Sequence, residues 1–203
     1  MLRNPLNPRL DFIKNSILFT VFGCISAGMT VIYIHFQPRS HAVFWVYMLR
    51  IMHSGNQNSS AEEVEHVAEI IRELTKGDVI YTDVEGEKHI VGMEHVKIIA
   101  PYNAQVALLK RKLPESLEIG TVDKFQGQEA PIVIFSLATS APEDAPRGME
   151  FLYSPNRLNV AVSRAKSIFI LVGNPSLFEP DCRSAQQMKL ANAFCRYLEM
   201  AKC

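Results

Sequence analysis

Residues 96–100 read Val96-Lys97-Ile98-Ile99-Ala100, with Pro101 directly behind them. A run this short and this apolar suits a strand buried on both faces of a parallel sheet. Behind Pro101 the apolar Val106, Leu108 and Leu109 fit a helix, and the same order then recurs. Ile119 to Val122 leads into a polar loop, Ile132 to Leu137 is a second apolar strand, Arg157 to Lys166 reads as helical, and Ile168 to Val172 is a third apolar strand. Strands alternating with helices imply an α/β domain whose parallel sheet is covered on both faces. Upstream, Ser60 and Glu63 have capping-box spacing, Val64, Val67, Ile71 and Leu74 share a helical face, and Gly77 supplies the stop. Asp78 to Tyr81 and Lys88 to Val91 flank Glu85-Gly86 as a short hairpin, and residues 186–200 form a closing helix with Met188, Leu190, Ala191, Phe194 and Leu198 towards the core.

The chain has 203 residues, 48% hydrophobic and 21% charged, which excludes dominant disorder and fits one domain, or one domain with an appendage. Lys and Arg number 21, as do Asp and Glu, so no overall field advertises a polyanionic partner and any phosphate must be met by local groups. Cys24, Cys182, Cys195 and Cys203 form no C-x-x-C pair, and the histidines no H-E-x-x-H, so no metal site is legible and the cysteines read as reduced.

Residues 1–52 read differently from 53–203. From Asn15 to Gln37 there is no Asp, Glu, Lys or Arg, a length sufficient for a membrane-spanning helix of roughly 20 residues. Arg3, Arg9 and Lys14 before this stretch weakly favour a cytoplasmic N-terminus for such a span. Three readings of 1–52 stand: a membrane helix over 15–37, part of the core, or a segment foreign to the domain behind it, the last being favoured.

Two segments carry chemistry. Gly120-Thr121-Val122-Asp123-Lys124-Phe125-Gln126-Gly127-Gln128-Glu129 begins where a buried strand ends, at the carboxyl edge of the sheet, where open α/β sheets bind ligands. Thr121 offers a hydroxyl, Gln126 and Gln128 offer amides, Gly127 allows close backbone approach, and Glu129 can accept hydrogen bonds from ribose hydroxyls. Each of these residues alone is more often a solvated strand end. In Asn156 to Lys166, read as a helix, Arg157, Ala161 and Arg164 fall at i, i+4 and i+7, which places two guanidinium groups on one face. Such a face can present bidentate donors to phosphate; spacing alone favours a surface helix with two solvated arginines.

Taken in order, Ile98 to Gln105, Thr121 to Glu129, and Arg157 to Lys166 followed by Val172-Gly173-Asn174-Pro175 resemble the late motifs of superfamily-one helicases of the up-frameshift, DNA2/NAM7-like type. The resemblance covers the chain from about His53 onwards and implies a RecA-like fold, the second of the two in a helicase motor. It implies that Arg164 reaches the γ-phosphate of ATP across an interdomain cleft, that Glu129 meets the ribose, and that Thr121 to Gln126, Asp123 included, touches single-stranded DNA or RNA. Arg157, Gly127, Tyr102 and Gln105 are placed beside the nucleotide on the same ground.

No G-x-x-x-x-G-K-[ST] occurs, nor an acidic Walker-B strand end. The expected partner is therefore a P-loop-bearing first RecA-like domain, with ATP and Mg²⁺ belonging to the complete enzyme and neither held tightly by this chain. Because helicase sequence is expected upstream of His53 and none is recognised, a truncated or rearranged gene product is the expectation for 1–52. The alternatives to a motor domain are an inactive helicase fragment and a membrane-anchored adaptor; the expected location is cytoplasmic, or membrane-anchored in the last case.

Overall fold

The computed structural model describes residues 31–36, 44–77, 79–82 and 87–199. Among them are the strands β1 (Val31–Phe36), β2 (Phe44–Arg50), β3 (Ile80–Thr82), β4 (Lys88–Ile90), β5 (Val96–Ile99), β6 (Glu118–Gly120), β7 (Ala130–Ser136) and β8 (Ala165–Gly173). The helices are α1 (Ala61–Leu74), α2 (Asn103–Lys112), α3 (Gly148–Leu152), α4 (Pro155–Val162) and α5 (Ala185–Glu199). One sheet runs β1-β2-β8-β7-β5-β6, in which β2, β8, β7, β5 and β6 are parallel and β1 is antiparallel on β2. The expected hairpin is present as β3 and β4, with Ile80 opposite Ile90.

Alternation along the inner strands sorts the core into two layers, as a period of two requires. Ile132 and Ile134 of β7 and Ile168, Ile170 and Val172 of β8 face α1 and α2, against Val64, Val67, Ile71, Leu74, Val106 and Leu109. Val133 and Phe135 of β7 and Phe169 and Leu171 of β8 face the other way, against Leu152, Leu158, Ala161 and Phe194 of α3, α4 and α5. Helices thus cover both faces, and the α/β parallel architecture expected of a RecA-like domain is the one observed. Close packing is visible at Gly173, where a Cβ would lie 2.7 Å from Leu137 Cδ1.

The strand just before the boundary expected at His53 pairs with the sheet behind it. β2 lies parallel to β8 from Trp45↔Ile168 to Arg50↔Gly173, with Val46, Tyr47, Met48 and Leu49 each at most 4% exposed. Residues 44–50 therefore belong to the core, and Ile51 N–H extends the pairing by donating to Gly173 O at 3.0 Å. Of the stretch 15–37 read as a spanning helix, residues 31–36 form β1 and the others lie outside the described residues. Among the described residues no helix is long and apolar enough to cross a membrane. Two smaller expectations also change. The helix read over Arg157 to Lys166 is α4, which starts at Pro155 and stops at Val162, while Ala165 and Lys166 already belong to β8. Met188 of α5 is 53% exposed, whereas Ala191 and Phe194 are buried as expected.

Leu49→Ala should cost about 2–5 kcal/mol, the range for emptying a packed core site. A chain starting at His53 should lose its cooperative transition or aggregate, since β8 would lose its neighbour. Urea unfolding followed by circular dichroism checks both, and a soluble, cooperative 53–203 would show β2 to be dispensable.

Candidate functional site

All parallel strands point the same way, so the segments leaving β5, β6 and β7 converge at one edge. Tyr102, just beyond β5, is buried and tilts against Phe151 with ring centroids 5.4 Å apart. Thr121, just beyond β6, has extended backbone and opens the 3-10 turn Val122–Phe125, in which Asp123 is exposed and Phe125 fully buried. At the N-terminal end of α4, Arg157 packs over the Phe151 ring, 4.2 Å from its centroid, and holds Nη1 3.8 Å from Asp123 Oδ2. Arg147, on the segment after β7, lies over the same ring at 4.7 Å. Burial pushes the Tyr102 phenol pKa up, partly offset by Thr139 and by the two nearby guanidinium groups, and its hydroxyl makes no hydrogen bond of normal geometry.

Glu129 and Arg164 stand elsewhere. After the turn the chain descends to the start of β7, and Gln126, Gly127, Gln128 and Glu129 are all exposed along this run. Gly127 adopts φ +82 with open space where a Cβ would be, so its glycine serves the backbone conformation and leaves the loop uncovered. Gln128 Oε1 accepts from Lys97 Nζ at 3.0 Å. Arg164 precedes β8 and so lies at the same amino edge; its carbonyl accepts from Ala130 N–H at 2.9 Å, which ties it to the residue after Glu129. Arg164 Nε donates to Val160 O at 3.2 Å and Nη2 to Ser163 Oγ at 3.1 Å. Among the described residues no carboxylate pairs with it, while Glu129 Oε2 lies 3.9 Å from Lys166 Nζ.

The expected nucleotide group therefore divides. Glu129, Gly127 and Arg164 share the amino edge; Tyr102 and Arg157 join Thr121 and Asp123 at the carboxyl edge. Arg157 and Arg164 do not share a helical face, because α4 ends between them and they mark its two ends. Gln105 belongs to neither edge. It is fully buried, its Oε1 accepting from Ser60 N–H at 2.8 Å and its Nε2 donating to Ser136 Oγ at 2.8 Å and Ser60 O at 3.3 Å, so its amide is spent inside the fold.

Gln105 belongs to a buried network whose centre, Glu63, sequence reasoning read only as half of a capping box. Ser60 Oγ does accept from Glu63 N–H at 3.1 Å, but the Glu63 carboxylate turns inward. Oε2 accepts from Ser136 Oγ at 2.6 Å and Ala138 N–H at 3.0 Å, and Oε1 from His53 Nε2 at 3.0 Å. His53 Nδ1 lies 2.7 Å from Ser140 Oγ, which also accepts from Asn56 N–H at 2.9 Å. The network closes with Nε2 as the proton-bearing nitrogen of His53 and Ser140 donating to Nδ1. A serine, a histidine and a glutamate in a row suggest a hydrolytic relay, yet the His53 and Glu63 side chains are 0% exposed and Ser140 is 3% exposed, so no substrate reaches them. Ala138 takes φ +69, a left-handed conformation costly for a residue with a Cβ, and its N–H is the one held by Glu63. The legible signal was Glu63 itself, a carboxylate on the apolar side of an amphipathic helix. Asn174, also buried, donates from Nδ2 to His53 O at 2.5 Å and ties the end of β8 to the same region.

A parallel sheet with helices on both faces is the RecA-like α/β architecture. A family model described as an AAA domain matches residues 26–176, and the chain belongs to that family. Its relatives are superfamily-one helicases of the up-frameshift, DNA2/NAM7-like type. Over 135 residues it is 33% identical to an ATP-dependent helicase of Methanocaldococcus jannaschii, covering 65% of this chain and 17% of that protein. Over 130 residues it is 32% identical to the DNA replication ATP-dependent helicase/nuclease JHS1 of Arabidopsis thaliana, covering 63% and 9%. Over 94 residues it is 40% identical to a regulator of nonsense transcripts 1 homolog of Drosophila melanogaster, covering 41% and 8%. The chain thus spans less than a fifth of the length of each of these relatives.

Glu63→Ala should remove about 3 kcal/mol or more, because it strands three buried donors at once. Glu63→Gln, which keeps the shape but sets an amide donor against some of those donors, should fall between. Urea midpoints of the two variants against the parent chain test this; equal midpoints would mean the network contributes nothing to stability.

Proposed function

We propose that this chain is the second motor domain of an ATP-dependent DNA or RNA helicase, supplying an arginine finger and a strand-coupling loop to a partner domain that carries the P-loop. The observation that carries the reading is Arg164: a half-buried guanidinium aimed by a helix-end carbonyl and a hydroxyl, with no carboxylate among the described residues neutralising it, beside the exposed Glu129. A planar fork held this way can deliver two hydrogen bonds to γ-phosphate oxygens. Glu129 can accept from the ribose and Gly127 leaves the backbone open to the nucleotide. In this reading Mg²⁺ belongs to the P-loop partner's residues and the phosphates.

In this reading Thr121, Asp123 and Gln126 face the single strand. Helix α4, about 12 Å long by a rise of ~1.5 Å per residue, then has Arg157 on the strand-side loop at one end and Arg164 after its other end. A displacement of Arg157 on the strand side is passed to Arg164 through that rigid rod. ATP closing the cleft and hydrolysis reopening it would thereby change the grip on the strand, which is how a motor steps.

The chain alone should show no significant ATPase, since a finger without a phosphate cradle accelerates nothing. Mixed with a P-loop domain from a related helicase, Arg164→Lys should lower kcat about a thousandfold while changing nucleotide affinity far less. Steady-state kinetics with equilibrium nucleotide binding separate the two effects. A reconstituted ATPase indifferent to Arg164 would leave the inactive-fragment reading in its place.

A further inference from the structure

The carboxyl-edge cluster has more positive charge than the fold requires. Arg147 and Arg157 both sit over one ring, Phe151, at 4.7 and 4.2 Å, which gathers two guanidinium groups against a single aromatic side chain. Among the described residues the sole carboxylate within ion-pair range of either is Asp123, 3.8 Å from Arg157 and largely exposed. Arg147 has none, although Glu143, Asp144 and Glu150 lie on the same segment of chain. An exposed pair at that distance is worth little, and a phosphate oxygen can replace it readily. Beside the cluster the Tyr102 hydroxyl is buried and makes no hydrogen bond of normal geometry. Contact with the Phe151 ring restrains both guanidinium groups in advance, so less side-chain freedom is lost when they bind.

We propose that Arg147 and Arg157, mounted on Phe151, form a phosphate clamp for single-stranded nucleic acid, with Asp123 as the internal stand-in that occupies Arg157 until the strand arrives. The proposal rests on the reading of this chain as a strand-binding helicase domain and adds to it a residue, Arg147, that no motif marked. The strand is the fitting occupant because the cluster adjoins Thr121 at the carboxyl edge. The nucleotide-side residues Glu129 and Arg164 lie at the amino edge, beyond the far end of α4.

The test is fluorescence anisotropy of the full chain with labelled twelve-residue oligo(dT) and oligo(rU) across a salt series. Arg147→Ala should weaken binding about tenfold and flatten the dependence of log K on log salt by about one ion. Arg147→Lys should recover part of the affinity, having the charge without the stack. Asp123→Asn should tighten binding, because Arg157 loses its competitor; a merely structural Asp123–Arg157 pair predicts weakening or no change. Arg147 is exposed, so its variants should unfold at the parent's urea midpoint. Oligonucleotide binding that is the same in all three variants would overturn the clamp while leaving the strand-binding reading intact. Failure of the parent chain to bind either oligonucleotide at low salt would overturn both. Displacement of the oligonucleotide by tripolyphosphate at matched phosphate concentration would reassign the cluster to free phosphate groups and overturn the strand as its ligand.

Discussion

A carboxylate removed from water must find donors, and Glu63, near the start of α1, finds three on two other segments: His53 beyond β2, and the Ser136 hydroxyl and Ala138 amide at the end of β7. The cost of burying that charge unpaired would be several kcal/mol, so its partners cannot drift independently. This single group sets the path of the chain as it leaves β7 in a left-handed turn at Ala138. Everything that follows on that path, including Arg147, α3 and the Phe151 ring, inherits its position from there. Gln105 and Ser60 extend the same bonding to α2 and to the cap of α1, which makes one polar seam across an otherwise apolar core.

The candidate site residues are arranged around this seam at two edges and not in one cluster. Those proposed to meet the strand leave the carboxyl ends of β5, β6 and β7; those proposed to meet the nucleotide precede β7 and β8. What joins them is covalent and short: the run from Thr121 to Glu129 along one face, and α4 along the same face in the same sense, each from the carboxyl to the amino edge. Both are packed down, the first by buried Val122 and Phe125 and the second by Leu158 and Ala161. Lys97 fastens the first again, its ammonium 5.2 Å from the Phe125 ring centroid and bonded to Gln128 and Glu118. Two rigid connections between the same two edges suit the transmission of a small displacement, because packed elements shift as units.

Relatives that match this chain over the same motifs are many times longer, and the AAA-domain match reaches upstream to residue 26. That upstream reach agrees with β2 lying inside the sheet. The run Phe44-Trp45-Val46-Tyr47-Met48-Leu49 is as apolar as Ile132-Val133-Ile134-Phe135 and carried the same signal. It was masked by the charge-free stretch before it, because periodicity cannot say whether an apolar run faces lipid, a sheet or nothing.

Local pattern by itself determined the alternation of strands and helices, the Ser60 cap, the hairpin and the family, since these depend on residues near one another in the chain. Motif order also marks Thr121, Asp123, Glu129, Arg157 and Arg164 as candidate site residues. Only the tertiary structure decided that Arg157 and Arg164 belong to opposite edges, because α4 stops at Val162, where the chain must turn into β8. Only it decided that Gln105 faces inward and that Glu63 leaves its capping box for the core. Those outcomes depend on which donors the other strands bring within 3 Å, a matter of long-range packing that no local spacing encodes.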